Sequence, residues 1–212
     1  MNWTSQVDEY CERIDFTFWS EPLNALTNLA FILAAVLVWR QARGKGRLLT
    51  AVLFVIGCGS FAFHTFATRW ASMADVLPIL AFILCYLFAA NRDFLGLSNV
   101  KATLATLAFF PFAALTVPLF SMLPIGASAG YAPVPVLLLG YAFVLRRSAP
   151  QTARGLTIGA ALLLISLTFR TLDGPLCANW PSGTHFLWHI LNATLLGWLI
   201  LVHARQQSAS NT

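Results

Sequence analysis

Apolar residues in this chain run in long unbroken stretches, separated by short segments rich in polar residues, Gly or Pro. A helix needs about 20 mostly apolar residues to cross a ~30 Å hydrocarbon layer. Continuous runs argue against membrane strands, which alternate apolar and polar positions. The pattern predicts helices over 22–40, 47–66, 72–91, 100–118, 130–146, 154–171 and 183–203. Pro111, Pro118, Pro124, Pro133 and Pro135 interrupt the region from Phe109 to Ala132, so the division into two spans is least marked there. The expected fold is all-α: a polytopic membrane bundle of seven transmembrane helices. Residues 1–21 would form an extracytoplasmic segment, 22–205 the bundle and 206–212 a cytoplasmic tail.

Composition agrees with a chain solvated by lipid. Of 212 residues, 58% are hydrophobic and 10% charged, whereas a soluble domain carries about 25% charged residues. Residues 1–21 hold Asp8, Glu9, Glu12, Asp15 and Glu21 and do not read as a signal peptide. Basic residues set orientation. With seven spans, one set of ends holds Arg40, Arg43, Lys45, Arg47, Arg92, Lys101, Arg146, Arg147, Arg154 and Arg205. The other holds Arg13, Arg69 and Arg170. The basic side is expected to be cytoplasmic, with the N-terminus outside and the C-terminus inside. This partition explains the formal charge of +5 without nucleic acid. Acidic residues show the opposite bias: of eight, Asp93 falls inside.

Ionisable residues within spans are costly and mark functional sites by default. Ser60 and His64 lie four apart near the end of the second span, hence on one helix face. Asp75 opens the third span, and His185 and His189, again four apart, open the last. All sit toward the outer side and can converge at one depth. Three imidazoles with an open position suit a catalytic zinc site, with Asp75 handling the proton of a zinc-bound water and Ser60 donating to an oxyanion. Each residue alone has a plainer reading. His64 could cap a helix, Asp75 could favour a helix N-terminus, and Ser60 could pack beside Gly57 and Gly59. Their common depth, in a chain with four histidines, favours the site. His203 reads as interfacial at the cytoplasmic end.

The set Ser60, His64 and Asp75, followed by His185 and His189, resembles the alkaline ceramidase family, part of a superfamily of seven-helix membrane hydrolases that also includes adiponectin-type receptors. Tyr10-Cys11-Glu12, the stretch Glu21-Pro22-Leu23-Asn24-Ala25-Leu26-Thr27-Asn28 and Leu172-Asp173 leading to Cys177 fit as well. The resemblance implies a zinc-dependent amidase that cleaves the N-acyl bond of ceramide to a sphingoid base and a fatty acid. His64, His185 and His189 would hold zinc, with Asp75 and Ser60 catalytic. It also implies a calcium site on Glu9, Tyr10, Glu12 and Glu21. The chain departs from that pattern at Ile14, where an asparagine ligand is expected, and Asp8 or Asp15 could substitute. A solvated acidic loop is the other reading of these residues. Cys11 and Cys177 share the outer side, where an oxidising compartment permits a disulfide, and the resemblance implies that pair. Cys58 and Cys85 read as packing residues.

The expected function is hydrolysis of a lipid amide by a multi-pass protein, in a bacterial inner membrane with the N-terminus in the periplasm. Its partners would be a ceramide-like substrate and membrane lipids, with no nucleic acid and no obligate protein partner. Two alternatives stand beside it: a receptor of the same superfamily, and a proton-coupled transporter using Asp75 and the histidines as a relay.

Overall fold

A computed structural model describes residues 2–210, and among them the regular structure is helical apart from an isolated bridge between Gln6 and Thr68. Seven apolar rods follow one another. They are α1 (Pro22–Val38, interrupted at Asn28), α2 (Lys45–Phe66), α3 (Arg69–Asp93), α4 (Asn99–Phe120, interrupted at Ala108), α5 (Gly126–Leu145, opening with a 3-10 turn), α6 (Pro150–Leu176) and α7 (His185–Ser210). Six of them, α2 to α7, are long and apolar enough to cross a membrane, while α1 is a shorter apolar helix. Several helices overrun the predicted ends, most clearly α6, predicted over 154–171. Hydropathy marks only the lipid-facing length, whereas the hydrogen-bonded ladder continues past it.

A proline explains the interruption of α4. Pro111 has no N–H for the carbonyl of Leu107, four residues back, and the first part of α4 ends at Leu107. Pro78, inside α3, likewise cannot bond the carbonyl of Ala74. That carbonyl lies so close to Gly59 of α2 that a Cβ there would collide with it. Glycine therefore sets how closely α2 and α3 approach. α6 and α7 meet in the same way. A Cβ on Gly155 would come within 2.6 Å of Val202, and Trp198 Nε1 donates to the Gly155 carbonyl at 2.8 Å.

α2 packs along α3, α6 along both α5 and α7, and α1 lies across α2 and α7. Phe31, Leu53, Ile56, Phe82, Leu156 and Ile200 are buried between them. Many large apolar side chains face outward instead, among them Leu37, Leu104, Leu115 and Phe143. An apolar surface this extensive fits a lipid environment and not water. Exposed Trp3, Phe16, Phe18, Trp19, Trp70 and Trp180 gather around one end of the bundle, as aromatic side chains do at a membrane interface. Cys58 is exposed and Cys85 half-buried.

The opposite end is pinned by charge. Asp93 accepts from Lys45 Nζ at 2.8 Å and from Gln207, and pairs with His203 Nε2 at 2.7 Å. His203 is fully buried there, which corrects its reading as an interfacial residue: Asp93 at the end of α3 gives the imidazole a partner inside the bundle. Gly155→Leu should overpack the α6–α7 contact and destabilise the protein by about 1–3 kcal/mol. The check is its thermal unfolding midpoint in detergent, where a value equal to the parent's would refute the tight contact.

Candidate metal centre

His64 lies in the last turn of α2, and α7 begins with His185 and His189 one turn apart. All three imidazoles are buried. Their ring centroids lie 5.2, 4.7 and 4.6 Å apart, and one donor atom from each falls within 4.8 Å of the others. Each ring keeps a buried nitrogen without a hydrogen-bond partner: His64 Nε2, His185 Nδ1 and His189 Nε2. Buried polar atoms are nearly always satisfied, so three such nitrogens in one place call for a shared partner. A metal ion fits that need.

The other sides of these rings are held. His64 Nδ1 lies 2.5 Å from Glu21 Oε2, and His189 Nδ1 lies 2.9 Å from Thr27 Oγ1. Tyr10 stacks on His185 with ring centroids 3.6 Å apart. A carboxylate or hydroxyl on the far nitrogen fixes a ligating ring's orientation and raises its basicity. Glu21 is itself clamped. Arg13 Nε donates to its Oε1 at 2.5 Å and Asn24 Nδ2 to its Oε2 at 3.1 Å. Burial raises the Glu21 carboxyl, but the His64 hydrogen bond and the Arg13 charge outweigh it and leave it below the usual range.

α7 starts where it does because of Asp173. The Asp173 Oδ1 accepts from Thr184 N at 2.7 Å and His185 N at 2.9 Å. A buried carboxylate thus satisfies amides that the first turn leaves unpaired and faces the positive end of the helix dipole. Its Oδ2 accepts from Cys11 N at 3.0 Å. Gly183 enters this turn at φ +62°, and a side chain there would collide with Asp173. The Cys11–Cys177 disulfide ties the N-terminal segment to the same place. Backbone pairing of Val7, Ser5 and Trp3 with Ala67, Arg69 and Trp70 holds that segment against the α2–α3 turn.

Asp75 of α3 and Ser60 of α2 stand beside each other at the α2–α3 contact. The Gly59–Ala74 contact one residue earlier on each helix brings the two together. Ser60, Asp75 and His189 line one end of a mostly apolar cavity that runs between the helices as far as Ala90 and Leu199. At 1.5 Å per residue along α3 and α7, that is on the order of 15–22 Å.

The structure thus gathers His64, His185, His189, Asp75 and Ser60. It distributes the four residues named for calcium. Glu21 turns inward to His64 and Arg13. Glu12 accepts from Leu23 N and Asn24 N at the start of α1, both at 2.7 Å. Burial raises the Glu12 carboxyl, an effect those amides oppose. Glu9 is exposed, and the Tyr10 carbonyl accepts from Arg13 N at 3.2 Å. The sequence did not single out Arg13, Thr27 or the capping role of Asp173. One signal was available, since Arg13 is the one basic residue among the acids of 1–21.

The sequence pattern of the Ceramidase family matches residues 1–211, nearly the whole chain. The chain belongs to the ceramidase family. No curated relative matches it. In this ceramidase-family chain the triad, the Ser60–Asp75 pair and the apolar cavity meet at one end of the bundle. Asp173→Ala should leave the first amides of α7 unpaired, costing about 1–2 kcal/mol for the lost cap and more for the buried donors. It should lower both the unfolding midpoint and metal retention, and a variant that matches the parent in both would show that Asp173 does not position His185.

Proposed function

We propose that the chain is a membrane-embedded, zinc-dependent amidase that hydrolyses the N-acyl bond of ceramide or a related lipid amide, releasing a sphingoid base and a fatty acid. The observation that carries this reading is the buried triad of His64, His185 and His189, each with an unpartnered nitrogen, at the polar end of an apolar cavity. Three imidazoles with a free position are a common catalytic set for zinc. When bound, zinc supplies Lewis acidity and brings the pKa of a bound water down to about 7.

The chain's own residues divide the remaining work. Asp75 takes the proton that water loses as its oxygen attacks the acyl carbon. Ser60 donates a hydrogen bond to the carbonyl oxygen as charge builds on it. When the C–N bond breaks, Asp75 returns the proton to the departing nitrogen, leaving a free amine and a fatty acid. The apolar cavity takes a lipid chain, and burial of that chain holds the amide at the polar end. Glu21 and Thr27 keep His64 and His189 turned toward each other.

The same reading treats α1 as a seventh span, with the N-terminus outside, the C-terminus cytoplasmic and the host membrane a bacterial inner membrane. Ten of 13 basic residues then fall on one side, in keeping with the positive-inside rule, and the disulfide lies on the other, where oxidation is permitted.

The test is zinc per chain on purified protein, measured beside hydrolysis of a fluorescent ceramide. The parent should carry stoichiometric zinc, and His189→Ala should lose zinc and turnover together. Asp75→Ala should keep much of the zinc and lose about 10²–10⁴-fold in rate. Full turnover in folded Asp75→Ala would refute its role. Zinc without turnover would favour a receptor of the same superfamily, and an active transporter without zinc would favour the relay.

A further inference from the structure

Arg13 and Glu21 form a buried ion pair beside the triad, with Arg13 6% exposed and Glu21 2%. Three oxygens converge on the guanidinium, two from the N-terminal segment and one from the end of α2. Nε donates to Glu21 Oε1 at 2.5 Å, one terminal nitrogen donates to the Asp15 carbonyl at 3.0 Å, and the other to the His64 carbonyl at 3.1 Å. A carboxylate with backbone carbonyls is also what a hard divalent cation would take. Here a covalently attached cation already fills the position.

The residues that the family resemblance assigns to calcium do not form a second place for it. Calcium takes six to eight oxygens. Both oxygens of Glu12 are engaged by backbone amides of α1, and the Tyr10 carbonyl by Arg13 N. Ile14 offers no side-chain oxygen and is 87% exposed. Glu9 is exposed to solvent, and Asp15 turns its carboxylate to Thr17. A calcium ion drawn to Glu21 would meet the Arg13 charge, of its own sign, in a buried setting where screening is weak.

We infer that Arg13 is the resident cation of this site: its guanidinium stands in the place of a calcium ion, holds Glu21 against His64, and frees the protein from calcium. Arg13 is thereby a positioning residue for the metal centre, acting through Glu21. A planar guanidinium with fixed donors can bridge a carboxylate and two carbonyls at once, which a lysine ammonium on its flexible stem does less well. Because Arg13 contacts both Glu21 and the His64 backbone, it fixes the ring from two sides. The zinc part of this inference rests on the function proposed above, whereas the calcium part does not.

The purified protein in detergent would be stripped with EGTA and then titrated with calcium while the unfolding midpoint and bound calcium are followed. The inference expects an unchanged midpoint and no saturable binding. Stoichiometric calcium with a raised midpoint would overturn it. Zinc retention against a competing chelator would be compared for the parent, Arg13→Lys and Arg13→Ala. Arg13→Ala should retain zinc at least about tenfold less tightly, as removing a partner behind a metal ligand does, and Arg13→Lys should fall between. If Arg13→Ala does not fold, Arg13→Gln takes its place. A folded variant without the charge that holds zinc as the parent does would overturn the positioning role. A parent devoid of zinc would count against the proposed function, while the calcium titration would still decide what occupies the Glu21 site.

Discussion

Polar groups placed inside an apolar bundle must find partners there, and the half of this protein that holds the histidine triad is organised by that requirement. Three imidazoles, Glu21, Arg13 and Asp173 are all buried at one end. Removing one partner of a buried ion pair typically costs about 3–5 kcal/mol, because the other charge is stranded. Each of these groups is therefore held by a neighbour from a different segment. Arg13 and Cys11 come from the N-terminal segment, Glu21 and Thr27 from the start of α1, and Asp173 from the end of α6. The disulfide and the short backbone pairing at residues 3–7 keep the N-terminal segment in place to do this. The acidic N-terminal segment is thus one wall of the site.

Close helix contacts then convert this wall into a reaction geometry. Gly59 permits α2 and α3 to touch at Ala74, and the next residue on each helix is Ser60 or Asp75. The cavity below is apolar, so an amphipathic lipid entering it gains by burying its chain and loses by burying its amide anywhere but at the polar end. Orientation of the substrate follows from that contrast. Few direct contacts with the amide are needed to place it.

The sequence revealed the architecture well because lipid imposes a simple rule. Runs of about 20 apolar residues are long enough to span, and six of the seven predicted runs are helices of that length. The five residues that the structure gathers at one end of the bundle were singled out for the same reason: a histidine or aspartate in an apolar run has to be explained. His203 shows the limit of the rule. Its partner Asp93 stands 110 positions away, so a buried hydrogen-bonded imidazole looked like an interfacial side chain. Glu21 was named for calcium, and its contact with His64 was not foreseen, because the helix approach that turns it toward His64 is a tertiary fact. Thr27 and Asp173 are polar residues near helix ends, where such residues are ordinary, and only the fold distinguishes them. The ends of α6 were missed since polar residues there remain in the hydrogen-bonded ladder.

The two ends of the bundle make opposite use of the same chemistry. At the far end Asp93 gathers Lys45, His203 and Gln207, so the acid meets its opposite charge directly. One His203 nitrogen lacks a partner there, but among the described residues no group of three metal donors forms around it. That arrangement fixes the register of α2, α3 and α7 and leaves little unspent. At the triad end the ion pair of Arg13 and Glu21 is equally complete, yet it lies behind His64 and not in front of it. Charge balance is settled behind the rings, so the nitrogens facing one another are left free of it. Burying an imidazole with one side satisfied and the other open is unfavourable for the apoprotein. An ion uniting the three open nitrogens would relieve that cost, and among the described residues the far end offers no such group of donors.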